Sequence, residues 1–426
     1  MSDTSMNYLD ALYGHVRFDE HMAALVAAPI VQRLRHVRLS NIDSLAMPGI
    51  SNLSRYEHVL GVGHLTQRIG LRSSLTSFDQ LTIGAAALLH DWAITAFGHL
   101  VEEAFRYAGV EFHHEDKLQA IMLGEKDGAN VGGADLQILA GRETQLTSWA
   151  RRAVGEERAR ELLTSIQELI RGEGRFGHLI AGTMDLDNID NIYRVAFHMG
   201  ISIDRYLPKR LAEAIVAIDE AGGLVLATSA INDVKDWVST RRTVYEHLMP
   251  AQPDFSMKAM IVSAAKHAIE AELINSGDWH LTDHTFLCRL STSSLPAVKD
   301  TIGRWTAGEF WESTPLWWLE GQRPSHAELN EFSDELSSEF GRHCFAYGIK
   351  DKRERKLRFR FDDGSVLRFG SDPCAWLFGV VSSKRAAFTR QEANAIVSTA
   401  ERRFGSRPSL RRMHDSSIMA LEERLL

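Results

Sequence analysis

The feature that most constrains this chain is an apolar run that ends in two residues able to bind a metal ion. The segment LTIGAAALLHDW at 81–92 is predominantly hydrophobic until it reaches His90 and Asp91. Apolar residues on every face predict a buried helix. A buried imidazole and carboxylate need a partner, and a metal ion satisfies both at once. The run therefore predicts a helical core with part of a metal site at the end of one helix.

Helical periodicity dominates residues 20–275, where apolar residues recur at three- and four-residue spacing. The stretch GLVLATSAI at 223–231 is the exception and predicts a strand, and the Gly-rich residues 124–143 predict a loop. The predicted helices cover residues 22–39, 56–75, 82–91, 97–110, 114–125, 144–171, 185–200, 234–249 and 256–274.

The pattern changes after about residue 300. Residues 355–370, RKLRFRFDDGSVLRFG, alternate polar and apolar side chains around Asp363-Gly364, which predicts a β-hairpin. A further strand is predicted at 375–383 and a last helix from Arg390. We therefore predict a mostly α fold, with a helical domain over residues 1–300. A smaller α+β C-terminal region over residues 301–426 is predicted to serve packing or oligomerisation.

Composition excludes several classes of protein. The net charge of −8 and pI near 6.1 argue against a surface that coats nucleic acid. The three widely spaced cysteines form neither a disulfide framework nor a zinc knuckle. The first residues, MSDTSMNYLDALYG, lack a secretory pattern, and the apolar stretch 81–97 is too short to span a bilayer. These features predict a cytoplasmic protein without a membrane partner.

Two further residues complete a candidate metal set. His58 lies in SRYEHVLGVGHL and Asp187 in GTMDLDNID, both on predicted helices. With His90 and Asp91 they offer two imidazoles and two carboxylates, a mixture that suits Mn, Fe, Ni, Co or Zn, with Mg as a further candidate. Such a centre activates water for hydrolysis, so the set predicts a metal-dependent hydrolase.

The order of the motifs resembles the HD superfamily, in its deoxynucleoside triphosphate triphosphohydrolase branch. The resemblance covers about two-thirds of the chain and includes the paired residues LLHDW. Its main blocks are residues 32–39, 47–65, 88–103, 113–122 and 184–201. It implies an HD helical core, a nucleotide substrate and self-association into a homo-oligomer.

The resemblance also implies roles for individual residues. His58, His90, Asp91 and Asp187 match the four metal ligands. Arg55 matches an arginine that grips the substrate's phosphate, and His99 matches a phosphate-side histidine. The remaining matches are His114, implicated in protonating the leaving oxygen, Glu115 beside it, and Glu102, an acid that orients a catalytic histidine.

Several positions depart from the family pattern. The family histidine four residues after the HD pair is Ile94 here, so Glu102 is predicted to have lost its partner. A tyrosine and an aspartate that contact the sugar are Asn191 and Val195, and a glutamine that senses the sugar hydroxyl is Leu39. Because a polar site discriminates through its buried hydrogen-bonding groups, deoxynucleotide specificity is not carried over.

Simpler interpretations stand beside these roles. The four candidate ligands are alternatively satisfied polar groups of the core. Arg55 is alternatively the partner of a structural acid, Asp91 or Glu57. Glu102 is alternatively predicted to belong, with Glu103, to an ordinary solvated helix face.

The sequence thus predicts a metal-dependent phosphohydrolase that acts on a nucleotide or nucleotide-derived phosphoester or phosphoanhydride through a metal-activated water. One alternative is an oligonucleotide phosphodiesterase or nuclease, although a nucleic-acid partner is not favoured. A second is a catalytically weak regulatory protein that senses nucleotides. A di-iron oxygenase is a distant third, because Ile94 removes the nearest candidate ligand for a second metal.

Overall fold

The computed structural model describes residues 5–42, 44–115, 145–249, 252–353, 355–370, 375–383 and 387–408. These residues form fifteen α-helices and eleven β-strands. The helices are α1 Glu20–Val26, α2 Pro29–Arg33, α3 Arg55–Thr66, α4 Ser77–Leu89, α5 His99–Tyr107, α6 Gln145–Val154, α7 Glu156–Ile170, α8 Leu186–His198, α9 Leu207–Glu213, α10 Ile231–Leu248, α11 Gln252–Glu270, α12 Asp283–Ser291, α13 Pro296–Thr306, α14 His326–Phe340 and α15 Arg390–Phe404. The strands are β1 Met6–Asp10, β2 Gly14–Phe18, β3 Ile215–Ile218, β4 Leu224–Leu226, β5 Glu312–Ser313, β6 Trp317–Glu320, β7 Cys344–Lys350, β8 Leu357–Phe361, β9 Val366–Phe369, β10 Ala375–Ser382 and β11 Arg407–Pro408.

The centre of the molecule is a pair of buried helices, α3 and α4, packed against each other. Residues 82–89 of α4 are all buried, as the apolar run predicts. Thr76 caps this helix by accepting from the Asp79 amide, and the Asp79 carboxylate returns the bond to the Thr76 backbone. The start of α3 and the end of α4 therefore have fixed positions in the core, and both carry candidate site residues.

Two predicted helices are shorter than the periodicity indicates. The expected continuous helix over 22–39 is wrong: α1 ends at Val26, and Pro29 begins α2 after an extended Ala28. Proline cannot continue a helix from the preceding turn, because it lacks an N–H and clashes with that turn. The helix predicted over 56–75 ends at Thr66, and a 3₁₀ turn at Gly70–Ser74 follows.

Three antiparallel or mixed sheets accompany the helices. The strands β1 and β2 form a hairpin that the sequence analysis did not predict. The hairpin predicted around Asp363-Gly364 is confirmed as β8 and β9, and the strand predicted from residue 375 is β10. The strand predicted over 223–231 shortens to β4, after which a 3₁₀ turn leads into α10.

The C-terminal strands do not stand apart from the helical core. Strand β8 pairs in parallel with β4, with Val225 opposite Arg360, so residues on both sides of the predicted boundary share one sheet. The other C-terminal sheet has β10 between β6 and β7. Its strand β7 reaches α5 through Tyr347, whose hydroxyl donates to the Glu103 carboxylate over 2.8 Å.

The predicted fold class is confirmed, since the described residues are mostly helical with small sheets concentrated in an α+β C-terminal region. The predicted loop 124–143 and residues 116–125 of the predicted helix 114–125 lie outside the described residues. None of the helices in the described part of the chain is long and apolar enough to cross a membrane.

Candidate metal centre

Three helices bring the predicted metal ligands together. His58 lies in the first turn of α3, and His90 is the residue that closes α4, with Asp91 directly after it. Asp187 lies in the first turn of α8, which the side chain of Asp185 caps by accepting from the Asn188 amide. The four side chains come from segments up to 129 positions apart in the sequence, and only the packing of these helices makes them neighbours.

The donor atoms of these side chains converge. The His58 Nε2 lies 2.9 Å from Asp187 Oδ1. The His90 Nε2 lies 3.8 Å from the same oxygen and 3.7 Å from Asp91 Oδ2. One ligand atom from each of His58, His90 and Asp91 lies within 4.8 Å of the others, a spacing that can hold one metal ion. His58, His90 and Asp91 are buried, and Asp187 is partly exposed.

Hydrogen bonds behind the imidazoles fix which nitrogen faces the centre. The His58 Nδ1 lies 2.7 Å from Asp190 Oδ2, and the His90 Nδ1 lies 2.9 Å from the carbonyl oxygen of Ala87. Both Nε2 atoms are thereby left for the centre, an arrangement common for metal-bound histidines. The His90 Nε2 is buried and has no hydrogen-bond partner among the described residues. A divalent cation would satisfy this orphaned atom, so the donor set fits a metal.

The support for His58 extends into a buried ionic network that the sequence analysis missed. Asp190 pairs with the fully buried Arg194, with Nε to Oδ2 and Nη2 to Oδ1 distances of 2.9 Å each. Arg194 also contacts Asp10 and Glu57. Asp190 and Arg194 are four residues apart on one helix, a spacing that favours such a pair and was the available signal.

A glycine makes room for this network. A Cβ at Gly61 would lie 2.0 Å from Asp190 Oδ1 and 2.2 Å from Arg194 Nη2. The close approach of α3 and α8 at this point therefore requires glycine.

The charges of the centre shift its pKa values. Burial lowers the pKa of His58, but its bonds to Asp187 and Asp190 outweigh burial and raise that pKa to about 9. Burial raises the pKa of Asp91, but the nearby Arg55 guanidinium outweighs it and holds this pKa well below its usual range. Burial and then the charge of Asp187 raise the pKa of Asp185 to about 7. Without a cation, His58 is thus an imidazolium between two carboxylates, and a metal must displace its proton.

Arg55 is held between the centre and a loop. Its Nη1 donates to Asp91 Oδ2 over 2.5 Å, and its Nη2 donates to Asn41 Oδ1 over 3.0 Å. Gly98, with φ of +57°, lies against this pair, where a Cβ would be 2.5 Å from Arg55 Nη2. The alternative of an Arg55–Asp91 pair is thus present in the structure, whereas Glu57 pairs with Arg194 and His198.

A second cluster lies at the start of α5. The Glu102 carboxylate accepts from His99 Nδ1 over 2.9 Å and from His114 Nδ1 over 2.6 Å. Glu102 is only 2% exposed. Glu115 lies 3.4 Å from His114 Nδ1.

Two expectations about Glu102 were therefore wrong. It does not belong to a solvated face, since α5 turns it inward while Glu103 on the same helix bonds Arg323 and His326. Glu102 has also kept histidine partners, because its carboxylate accepts hydrogen bonds from His99 and His114. Ile94, at the position of the family histidine, is fully buried in the core. Burial would raise the pKa of Glu102, but the bonds to both histidines outweigh it and lower that pKa. Burial likewise lowers the pKa of His114, and the Glu102 bond more than compensates, so this pKa is raised.

A cavity of about 210 Å³ opens above the centre. Its floor holds His58, Asp91 and Asp187, and Arg55 and His99 also line it. Three of the four positions at which the sequence departs from the family pattern, Leu39, Asn191 and Val195, lie in its wall. Two cationic residues that the sequence analysis missed, Lys258 and Lys352, complete the lining. They lie 200 and 294 positions from His58, so no local pattern could connect them to the site.

Comparison with known proteins places this site in a family. Residues 55–163 match the model of the HD domain. Deoxynucleoside triphosphate triphosphohydrolase SAMHD1 of Bos taurus is 30% identical over 112 residues, which are 25% of this chain and 19% of that protein. Uncharacterized protein YwfO of Bacillus subtilis (strain 168) is 26% identical over 239 residues, 55% of this chain and 48% of that protein. Uncharacterized protein YdhJ of the same organism is 31% identical over 120 residues, 28% of this chain and 34% of that protein.

The match and the geometry agree on the same part of the chain. The matched segments span less than half the length of each of these relatives. The HD-domain segment nevertheless contains His58 and the His90-Asp91 pair, while Asp187 follows it. Residues 55–163 of the chain thus form a divergent HD domain.

Proposed function

We propose that this protein is a metal-dependent phosphohydrolase that acts on a nucleotide or a nucleotide-derived phosphoester or phosphoanhydride. The observation that carries the proposal is the convergence of His58, Asp91 and Asp187, which line a cavity, around the orphaned His90 Nε2. The nucleotide class is supported by the name of one group of relatives, the deoxynucleoside triphosphate triphosphohydrolases.

The same four residues would hold a divalent transition metal, for which Mn, Fe, Ni, Co and Zn are the candidates and Mg a further one. When bound, such an ion supplies Lewis acidity, which lowers the pKa of a coordinated water and offsets charge on a phosphoryl group. The Nδ1 bonds to Asp190 and Ala87 keep both imidazoles oriented for this task.

Arg55 is proposed to bind the phosphoryl group that reacts. Its guanidinium lines the cavity while two of its nitrogens are fixed by Asp91 and Asn41. A pre-positioned guanidinium recognises phosphate oxygens without paying to order a flexible side chain.

The cluster of His99, Glu102 and His114 is proposed to supply the proton for the leaving oxygen. The Glu102 carboxylate favours the protonated form of His114, and it also accepts a hydrogen bond from His99. His114 is the candidate acid, and His99 lines the cavity beside Arg55. Glu115 lies near enough to His114 to add to this effect. The loss of a histidine at Ile94 therefore leaves a proton donor in place.

Selectivity for deoxyribose is proposed to be lost in the part of the substrate that the cavity wall contacts. Leu39 and Val195 present apolar surface, and they belong to one small core cluster with Ile50, Ile192 and Val244. An apolar wall discriminates weakly between sugars, because it has no buried hydrogen-bonding group to leave unpaired.

A turnover screen tests the proposal. The full chain, loaded in turn with Mn, Fe, Co, Ni or Zn, is incubated with dNTPs, NTPs, nucleoside monophosphates, cyclic dinucleotides and short oligonucleotides, and products are resolved by chromatography. Asp187→Ala serves as the inactive variant, and Asp300→Ala, on the exposed face of α13, serves as the matched control. We expect one substrate class to be hydrolysed by wild type and control alone. Metal and nucleotide binding without turnover would instead favour the regulatory alternative.

A further inference from the structure

One side of the cavity is cationic and plays no part in the chemistry described above. Lys258 lies on α11, and Lys352 follows β7 in the C-terminal region. Both line the same cavity as His58, Asp91 and Arg55. Lys258 is half-buried and Lys352 is exposed. Two lysine side chains from distant segments thus border the space above the centre, and the Lys352 Nζ lies 5.9 Å from the centroid of the Tyr245 ring, which lines the same cavity.

The Lys258 ammonium has no ion pair with any described residue. Its nearest acids are Asp254 and Glu103, and both are engaged elsewhere. Asp254 accepts from the Ser44 hydroxyl over 2.5 Å and from the Leu45 amide over 3.0 Å. Glu103 accepts from Arg323, His326 and the hydroxyl of Tyr347.

The two ammonium groups also act on each other. Burial lowers the pKa of Lys258, and the charge of Lys352 lowers it further, although Asp254 opposes the shift. A half-buried cation beside a second cation, without a carboxylate of its own, costs free energy that a bound anion would recover.

Counting the charges around the cavity indicates how much negative charge the anion carries. The charge of a divalent ion on the floor would be offset by Asp91 and Asp187. The charge of Asp190 is matched by Arg194, and that of Glu102 by its histidines. Asp254, which accepts from the neutral Ser44 hydroxyl and Leu45 amide, offsets one of the positive charges of Arg55, Lys258 and Lys352. Two positive charges therefore remain for the ligand, more than one singly charged phosphodiester group can neutralise.

We infer that the cavity contains a second anion subsite, formed by Lys258 and Lys352, which binds an anionic group of the substrate other than the phosphoryl group that reacts. This inference rests on the proposed function for the reacting group, and it assigns the substrate to the small molecules that carry two anionic groups. The second group is a phosphate or a carboxylate. The C-terminal region contributes to the site directly through Lys352.

Binding of two-anion probes tests the subsite without requiring turnover. Inorganic pyrophosphate and phosphoglycolate, compared with orthophosphate, are titrated calorimetrically into chelator-treated full-length protein and into protein restored with Mn. The variants are Lys258→Met, Lys352→Met and the double variant, since methionine keeps the length of the buried stem. Lys299→Met, on the exposed face of α13, is the control, and Lys258→Arg tests rescue by charge.

We expect the double variant to lose about tenfold or more in affinity for a two-anion probe, in line with the loss of charge-assisted hydrogen bonds. Orthophosphate affinity should change less than about twofold, and Lys258→Arg should bind nearly as wild type. The two-anion probe that loses more affinity identifies the second group as phosphate or carboxylate.

Equal affinity of wild type and the double variant for both two-anion probes would overturn the subsite. Equal losses of affinity for orthophosphate and for the two-anion probes would overturn the subsite as well, because the lysines would then act only through the electrostatic potential of the whole cavity. Failure of the proposed function looks different: turnover is absent, yet the lysine-dependent difference persists in the chelator-treated protein.

Discussion

The floor and the wall of the cavity differ in how closely they follow the HD-superfamily pattern. The floor keeps a histidine or aspartate at all four positions that match the family's metal ligands, and the structure brings His58, His90, Asp91 and Asp187 together. The wall replaces polar family positions with Leu39, Asn191 and Val195 and adds two lysines from outside the matched segment. The contrast teaches that the reaction centre and the recognition surface of one cavity can change independently, because they lie on different elements.

The largest expected effect is on the floor. Asp187→Ala removes an oxygen ligand and the partner of His58, so we expect the bound metal to be lost on dialysis. Turnover should then fall on the order of 1000-fold, since metal catalysis contributes several kcal/mol. Metal content by mass spectrometry of the protein and initial rates are the measurements. Stoichiometric metal in Asp187→Ala, or in the His90→Ala/Asp91→Ala variant, would show that the floor is assigned wrongly.

The next effect concerns the proton-donor cluster. Glu102→Gln keeps the shape of the side chain but removes the charge shared by His99 and His114. We expect kcat to fall about 100-fold with KM little changed, as for loss of general acid catalysis. Glu111→Gln, at an exposed site shortly after α5, is the matched control. An unchanged kcat in Glu102→Gln would exclude the cluster from the reaction.

Loss of the Asp190 bond behind His58 should lower metal affinity less than loss of a metal ligand in the floor. Asp190→Asn weakens the bond that orients His58, and we expect roughly 10- to 100-fold lower metal affinity. Competition with a coloured chelator measures this affinity, and circular dichroism checks the fold, because Arg194 loses part of its pairing. Asp300→Asn should bind metal as wild type does. Equal affinity in both variants would mean that Asp190 serves stability alone.

The position of the missing family histidine offers a test of stability. Ile94 is fully buried in the core and does not line the cavity. Ile94→His should therefore destabilise the fold by about 1–3 kcal/mol, because a buried imidazole needs partners there. Denaturant unfolding measures the change, and Ile94→Val should cost about 1 kcal/mol. A stable Ile94→His variant with higher turnover would show instead that the site retains room for the family residue.

The smallest expected effect is a shift in pH dependence. The bond to Glu102 raises the pKa of His114, so the protonated acid and its stabilising ion pair persist from low pH until the pH passes that raised value. Glu102→Gln removes the cause, and the basic limb of the kcat profile should move to lower pH. Profiles of wild type and variant in matched buffers measure the shift. A basic limb that stays in place would exclude His114 as the titrating acid.

Sequence patterns predicted the residues in the floor of the cavity better than those in its wall. The apolar run before His90 and the motif order located the four candidate ligands, and periodicity located most helices, because these signals are local. The patterns did not predict that Glu102 points inward, because α5 has carboxylates at two adjacent positions and only packing shows which one is buried. The patterns did not place Lys258 and Lys352 at the site, because the cavity is assembled from segments far apart in the chain.

The sequence patterns also did not predict the hairpin β1–β2 or the network of Asp10, Asp190 and Arg194. Short strands give weak period-two signals, and a buried arginine is indistinguishable from a surface one until its three acids are placed around it. The assignment of individual residues to metal binding and catalysis stays a prediction that the variants above address.

The most direct test of the account is turnover on the substrate panel by one protein preparation before and after chelator treatment, with Mn then restored. We expect hydrolysis to disappear with the metal, to return with Mn, and to be faster on substrates that carry an anionic group besides the reacting phosphoryl group than on nucleoside monophosphates. Hydrolysis that is indifferent to metal would contradict the assignment of the floor. Metal-dependent hydrolysis that is fastest on nucleoside monophosphates would contradict the second anion subsite in the wall.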